Sequence, residues 1–362
     1  MQKKWIFRVV GGLLITFVLY IGYVLVVGTW TEYQGPDEEA MESLENSERT
    51  TVTDSVLSVA IWNLGYGGLG AESDFFYESS SLVSGGKMIR ASRPLVDKNI
   101  NGMEQFMRQT EADFFLFQEV DRSSRRSYFS DILDSVRQEK PDYYTGYATN
   151  YRVQRVPVPL LEPWRAYGRV ESGLATLARY QPQASIRYQL PGDFSWPTRI
   201  FSLDRCAAVH RFEVAGSDRE LVLINVHNSA YDDGSLKQKQ MTFLRELFLA
   251  EYEKGNYVIA GGDWNQCPPY FRFDGFMPGE SGQYEQENIP ADFLPADWQW
   301  VYDPTQPTNR KIHEPFTPGE TFVTLIDFFL ISPNIRVLTV KALPNNFAYS
   351  DHQPVWMEVA LQ

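Results

Sequence analysis

Residues 256–265 read NYVIAGGDWN. The run Tyr257–Ala260 is short, apolar and β-branched or aromatic in character, as a buried strand is. In extended backbone, residues two apart share a face. Asp263 and Asn265 would then converge on one site, with Trp264 packed the other way. Gly261 and Gly262 would let another backbone come close. Gly, Asp and Asn also form tight turns, and a turn is the competing reading. What decides between them is whether other strands also end in polar groups.

Several do. VLSVAIW (56–62) runs into Asn63, DFFLFQE (113–119) ends on Glu119, and LVLINVH (221–227) ends on His227. Asp327 lies within TLIDFFLIS (324–332), and Asp351 and His352 stand just before the last strand, PVWMEVAL (354–361). ESGLATLAR (171–179) and RCAAVHRFEV (205–214) are further strands. Residues 96–110, 129–139 and 235–254 are read as helices. In the last, Ser235 is the expected N-cap, Leu236, Phe243, Leu244, Leu247 and Phe248 make one stripe, and Gly255 stops it. No internal repeat is evident. Segments 150–170 and 266–320 are read as long loops. Long apolar strands with covering helices specify a sheet-centred α/β domain, and such sheets bind ligands at strand ends.

Taken singly, these residues have ordinary explanations. His227 could be a hydrogen-bonded core histidine. Glu119 could pair with Arg122 or Arg125. Asp327 is harder to place, because a carboxylate amid so much apolar surface needs a partner, and the imidazole of His352 would serve.

The chain has 362 residues, 43% of them hydrophobic, enough for one large domain or two small ones. Cys206 and Cys267 are its two cysteines, and there are four histidines. A disulfide framework is excluded and a Cys/His zinc site is a poor fit. Carboxylates, amides and a hard cation suit the composition better.

The N-terminus differs from the rest. Lys3, Lys4 and Arg8 precede an uncharged run, Val9–Gly28, with Trp5 and Trp30 at its ends. Twenty helical residues span about 30 Å, the thickness of a bilayer's hydrocarbon. The run is long for a signal-peptide core, and VVGTWTEY offers no small-residue cleavage pattern. A retained transmembrane anchor over 9–28 is expected, with residues 1–8 as a basic cytoplasmic end and the remaining chain outside the cell membrane. Residues 29–55 are polar and acidic and read as a flexible tether to a domain over 56–362. Of the net charge of −13, residues 1–30 carry +3 and 31–58 carry −7, leaving −9 on the domain. Such a domain repels polyanions at long range unless a basic patch or a bound cation intervenes.

The ordered set of Asn63, Gln118-Glu119, Asn225-x-His227, Gly262-Asp263-x-Asn265, Ile326-Asp327 and Ser350-Asp351-His352 resembles the endonuclease/exonuclease/phosphatase superfamily over about 56–362. GGDWN and SDHQPV are its most diagnostic pieces. The resemblance implies a four-layered α/β sandwich, with two packed mixed sheets flanked by helices. It implies Glu119 as the main ligand of Mg²⁺, with Asn63 and Asp351 beside it; Mn²⁺ and Ca²⁺ are the alternatives. It implies His352 as general base, Asp327 as its orienting carboxylate, Asp263 and Asn265 positioning water and phosphate oxygens, and His227 on the leaving-group side. Gly65 stands where some relatives carry Asp or Asn, and Ala178 where Ser is common, which puts details of the metal shell in doubt.

The implied activity is metal-assisted hydrolysis of a phosphodiester or phosphomonoester. With an anchor, an acidic domain and the aromatic stretch PPYFRFDGFMPG (268–279), a lipid head-group or other small phosphodiester is the expected substrate, and a monomer the expected state. Arg122, Arg125 and Arg126 could instead grip a nucleic acid, making a surface nuclease, or could form a solvated face. A third reading is an inactive phosphate-binding module on the same fold.

Overall fold

The computed structural model describes residues 2–78, 80–230, 234–272, 276 and 286–362. In chain order its strands are β1 (Glu38–Ala40), β2 (Glu42–Glu45), β3 (Thr51–Val52), β4 (Val56–Asn63), β5 (Phe114–Asp121) and β6 (Tyr144–Val156). Then come β7 (Gly168–Ala178), β8 (Ala184–Gln189), β9 (Cys206–Val214), β10 (Glu220–His227), β11 (Tyr257–Asp263) and β12 (Gln299–Val301). The last are β13 (Asn309–Arg310), β14 (Val323–Thr324), β15 (Asp327–Ile331), β16 (Ile335–Ala342) and β17 (Val355–Leu361). The helices are α1 (Gln2–Trp30), α2 (Arg93–Gln109), α3 (Ile132–Arg137) and α4 (Ser235–Glu253).

Among the described residues, one mixed sheet runs β16-β17-β4-β5-β7-β6-β2 and the other β1-β8-β9-β10-β11-β15-β12, with β3 added on β9. The period-two pattern of each strand explains why they stack. Leu57, Val59 and Ile61 of β4 and Phe114 and Leu116 of β5 share one buried core with Leu221 and Leu223 of β10, Ile259 of β11 and Phe329 and Ile331 of β15. The alternate residues face outward. Trp62, Phe115 and Phe117 pack under α2 and α3, and Val222, Ile224, Val258 and Ala260 pack under α4. The result is the expected four-layered α/β sandwich.

Trp264 fills the outer core, stacked on Phe328 with centroids 5.3 Å apart. Gly262 is needed as glycine. Its φ is +142°, and a Cβ there would lie 2.1 Å from the carbonyl of Val226 on the neighbouring strand.

Several expectations need correction. Segment 29–55 is not a free tether. β1 pairs with β8, β2 with β6 and β3 with β9, so residues 38–52 extend the edges of both sheets. Backbone pairing at an edge requires no apolar side chains, which is why the mostly polar β1 and β2 carry no strand pattern. The segment 150–170 is a loop only in its second half; its first half completes the thirteen-residue β6. Gly234, not Ser235, occupies the N-cap of α4, and no side chain caps it. Gly255 does follow the helix, at φ +88°. In PPYFRFDGFMPG, residues 273–275 and 277–279 lie outside the described residues. Cys206 and Cys267 are both buried and are not joined to each other.

Candidate active site

The polar residues of the site are terminal positions of the inward-facing apolar ladders. Asn63 continues the Leu57, Val59, Ile61 face of β4. Asn225 and His227 continue Leu221 and Leu223, Asp263 continues Tyr257 and Ile259, and Asp327 begins the face of Phe329 and Ile331. Register brings three of them side by side, because His227 pairs with Asp263 across β10 and β11, and Asp263 pairs with Asp327 across β11 and β15. They meet between the two sheets at one rim. That rim is formed by the C-terminal ends of β4, β5, β10 and β11, where α/β sheets bind ligands.

Glu119 breaks the periodic rule. Period two aims Gln118 inward and Glu119 outward. The pairing of β5 with β7 shifts between Phe117 and Val120, and Glu119 sits at φ +53°. This bulge turns the carboxylate into the site, as bulges beside functional sites do. Asn63 Nδ2 lies 3.4 Å from Glu119 Oε1 and donates to Asp263 Oδ2 at 3.0 Å. Gln118 and Asn225 have a different job. They are fully buried, and Gln118 donates to Asn225 Oδ1 at 2.7 Å while Asn225 donates to the carbonyls of Phe117 and Ala175. They clamp one sheet to the other behind the site.

His352 is held from both sides. Its Nδ1 lies 2.8 Å from Asp327 Oδ2 and 3.0 Å from Oδ1, so Nδ1 carries the shared proton and Nε2 is left to face the site. Nε2 lies 3.7 Å from Asp263 Oδ2 and 3.1 Å from the side-chain amide of Asn309. The main chain is fixed independently. Trp62 Nε1 donates to the His352 carbonyl at 2.9 Å, and Ser350 Oγ donates to the Asn63 carbonyl at 2.7 Å. Burial opposes a charge on this imidazole, but Asp327, Asp263 and Asp351 outweigh it and hold its pKa well above the usual histidine value. His227 goes the other way. Burial, with help from Arg205 and His352, lowers its pKa well below the usual histidine value, and its Nε2 lies 3.5 Å from Asp263 Oδ2 and 3.9 Å from Glu119 Oε1.

Asp263 and Asn265 satisfy both readings of the GGDWN stretch in part. Asp263 is the final extended residue. Asn265 has φ +52°, its backbone N–H donates to Asp263 Oδ1 at 2.9 Å, and its side chain donates to the Asn228 carbonyl. The extended face therefore ends at Asp263 and a turn carries Asn265 past it.

Asp351 lies against Gly65, where a Cβ would come within 2.8 Å of its Oδ1. Its pKa is raised, by burial first and by the Glu119 charge, with His352 and Arg310 pulling the other way. A divalent cation beside the Glu119 and Asp351 carboxylates would offset the charge that Glu119 places on Asp351. Asn63 would add its Oδ1, which accepts from Gly65 N–H at 3.0 Å in this structure. The tightest cluster of ligating atoms among the described residues is a different one, Asp263, Asp327 and His352, within 4.8 Å of one another. Asp327 is already committed to His352 Nδ1, so that group suits proton transfer better than ion binding.

Two residues were not legible as functional. Arg205, just before β9, makes no side-chain hydrogen bond among the described residues. Its Nη1 is buried, and it feels the charges of Asp263 and Glu119. A buried unpaired guanidinium beside such a site is an anion donor in waiting. Arg205→Gln is expected to lower kcat/KM about 10- to 100-fold on a phosphate ester, the worth of one charged hydrogen bond. Steady-state kinetics check this, and an unchanged value contradicts the assignment. Asn309 is the second, brought to His352 by a segment read as loop. By contrast, the three arginines after Glu119 are engaged within the protein. Arg126 forms a buried bidentate pair with Asp121, Arg122 pairs with Glu42 at 2.7 Å, and Arg125 donates to the Ala166 carbonyl.

A rim of carboxylates, amides and two imidazoles between stacked mixed sheets defines a class of phosphate-ester enzyme folds. The sequence matches the Endonuclease/Exonuclease/phosphatase family over residues 85–352, and the chain belongs to that family. A search of curated protein sequences finds no match. The fold is similar to that of ANGEL2, a 2′,3′-cyclic phosphatase, in complex with adenosine-2′,3′-vanadate (TM-score 0.51, 16% identity, 91% of this chain and 99% of that one). It is also similar to the human Nocturnin catalytic domain with bound sulfate (TM-score 0.51, 15% identity, 89% and 98%). A third likeness is to an endonuclease/exonuclease/phosphatase from Bacteroides vulgatus (TM-score 0.50, 13% identity, 85% and 100%). At these identities the likeness is one of fold.

Proposed function

We propose that this chain is a membrane-anchored, divalent-cation-dependent phosphodiester hydrolase acting on a lipid head-group or another small phosphodiester. The observation that carries the reading is the His352–Asp327 pair, whose Nε2 lies beside Asp263, the carboxylate that Asn63 links to Glu119. His352 accepts a proton from the attacking water at Nε2, and Asp327 orients the ring and stabilises its charged form. Asp263 and Asn265 position the water and a non-bridging oxygen. His227 and Arg205 face the phosphate and the leaving oxygen. Mg²⁺ held by Glu119, Asp351 and Asn63 would neutralise charge on the phosphate and leaving group.

The small-substrate reading is supported by the acidic domain and by the engaged state of Arg122, Arg125 and Arg126, which leaves no basic track for a polynucleotide in that segment. The test is the full chain in vesicles with Mg²⁺, offered sphingomyelin, duplex DNA, inositol phosphates and 2′,3′-cyclic AMP. Choline-phosphate release with little DNA nicking is expected, and it stops in EDTA. Nicking that dominates and falls with rising salt favours the nuclease instead. Hydrolysis that persists in EDTA or in Asp263→Ala overturns the whole mechanism.

Helix α1, long and apolar over Lys4–Trp30, supports an anchor, and the basic residues before its apolar run favour the catalytic domain outside the cell. Protease added to intact cells is then expected to digest the domain. Full protection there would reverse the orientation.

A further inference from the structure

We infer that the domain has a bilayer-docking rim beside α1, formed by Leu82, Val83, Leu161, Trp164 and Trp196, and that lipid is what covers it. The inference rests on the membrane-anchoring part of the proposed function and adds a second contact to it.

The last turns of α1 do not stand clear of the domain. Tyr20 Oη accepts from Arg155 Nε at 3.3 Å, Val24 is buried, and Thr29 Oγ1 accepts from Trp196 Nε1 at 3.1 Å. At Gly28 a Cβ would lie 2.8 Å from Ile200 Cδ1, whereas Gly11, Gly12 and Gly22 face open space. Just past the helix, Arg199 grips Glu32 with two hydrogen bonds, at 2.6 and 3.1 Å. One stripe of α1, residues 20, 24 and 28, is therefore seated on the domain over about 12 Å of axis.

That stripe lies inside the apolar run Val9–Gly28. If this run crosses about 30 Å of hydrocarbon, the domain surface beside Tyr20 and Val24 sits at the depth of the outer leaflet. Sliding the span to Trp5–Val24 leaves both residues at bilayer depth. The surface at that level must then be apolar and internally satisfied.

It is both. Outside α1, ten large hydrophobic residues are exposed among the described ones, and five of them are Leu82, Val83, Leu161, Trp164 and Trp196. Trp164 is 72% exposed and Leu161 54%, which is costly in water. Their segments are tied together and to the anchor. Leu160 and Leu161 donate backbone hydrogen bonds to Ser81 and Leu82, and Arg155 bridges from Tyr20 to the Pro163 carbonyl at 2.9 Å. The polar groups between them pair with one another, since Glu162 accepts from Ser84 N–H at 2.8 Å and from Arg165 Nη1 at 2.9 Å. Exposed tryptophans beside a spanning helix match the interfacial belt. Val156, Val158 and Phe201, from the segments that carry Arg155 and Arg199, share an apolar cluster with Tyr66, the chain neighbour of Gly65.

The test places one fluorophore by depth. Cys206 and Cys267 are buried, so Leu161→Cys can be labelled selectively with an environment-sensitive dye in the full chain. The same is done at Leu14→Cys in α1 and at exposed Asp218→Cys on the β9–β10 turn. Each protein is reconstituted in phosphatidylcholine vesicles with and without doxyl-labelled lipid. The dye at 161 is expected to shift to the blue and lose most of its emission to doxyl lipid, as at 14 but not at 218. Quenching at 14 with a water-like signal at 161 overturns the rim and leaves the anchor. No quenching at either site overturns both. A dye at 161 shielded from aqueous iodide yet untouched by doxyl lipid means that protein, such as a second copy, covers the rim, and the inference fails.

Discussion

Replacing His352 by glutamine is expected to lower kcat by about 10²–10⁴-fold, the usual worth of a positioned acid–base group, with little change in KM. The site is built so that this side chain alone can be removed. The bonds that place residue 352, from Trp62 Nε1 to its carbonyl and from its N–H to Ser350 Oγ, use the main chain and survive the substitution. Asp327 loses its imidazole partner, and burial, which already raises its pKa, lets it take up a proton instead of standing as an isolated charge. The fold should persist while the base is gone. The rise of rate with pH that reports loss of the His352 proton should vanish with it. Asp327→Asn is expected to show a smaller loss, because Nε2 remains but its orientation and charge stabilisation do not. Steady-state kinetics over a pH series check both. A His352→Gln protein with more than a tenth of normal kcat contradicts the assignment of the base.

Glu119→Gln is expected to have the second large effect, and it acts through ion binding. Glutamine keeps the shape and removes the charge. Loss of a supporting partner around a metal ligand costs about 10–100-fold in affinity, and loss of the main carboxylate should cost at least that. The Mg²⁺ concentration needed for half-maximal rate should rise accordingly, with partial rescue by excess cation. Asp351 should release its proton more readily in the variant, since the Glu119 charge is one of the causes that raise its pKa. Metal-dependence curves for the two proteins check this. Coincident curves would place the ion elsewhere.

Most of the site was legible because strand periodicity carries it. An apolar ladder that ends in Asn, His or Asp on the same face announces a polar rim, and Asn63, His227 and Asp263 follow that rule, while Asp327 opens its ladder. The fold followed from the same ladders. Glu119 does not obey the rule. Period two favours its neighbour Gln118, and only the bulge at φ +53° brings the glutamate inward. The resemblance of the motif order identified it where periodicity could not. Arg205 had no such help, since one arginine before an apolar strand has no distinctive spacing. The edge strands β1 and β2 were missed because they are short, pair through backbone and keep mostly polar side chains, and β3 because it is two residues long, although its Val52 is buried in the core. β6 was missed, and its second half read as part of a loop, because it runs into prolines at 157 and 159.

The account depends on where the cation is held, and Mn²⁺ binding followed by loss of the free-ion paramagnetic resonance signal tests that without any assumption about substrate. One site per full-length chain is predicted, weakened strongly in Glu119→Gln and in Asp351→Asn and retained in Asp327→Asn. Binding that survives the first two substitutions and disappears in the third would put the ion on the Asp263, Asp327 and His352 cluster and contradict the assignment of His352 as a free base.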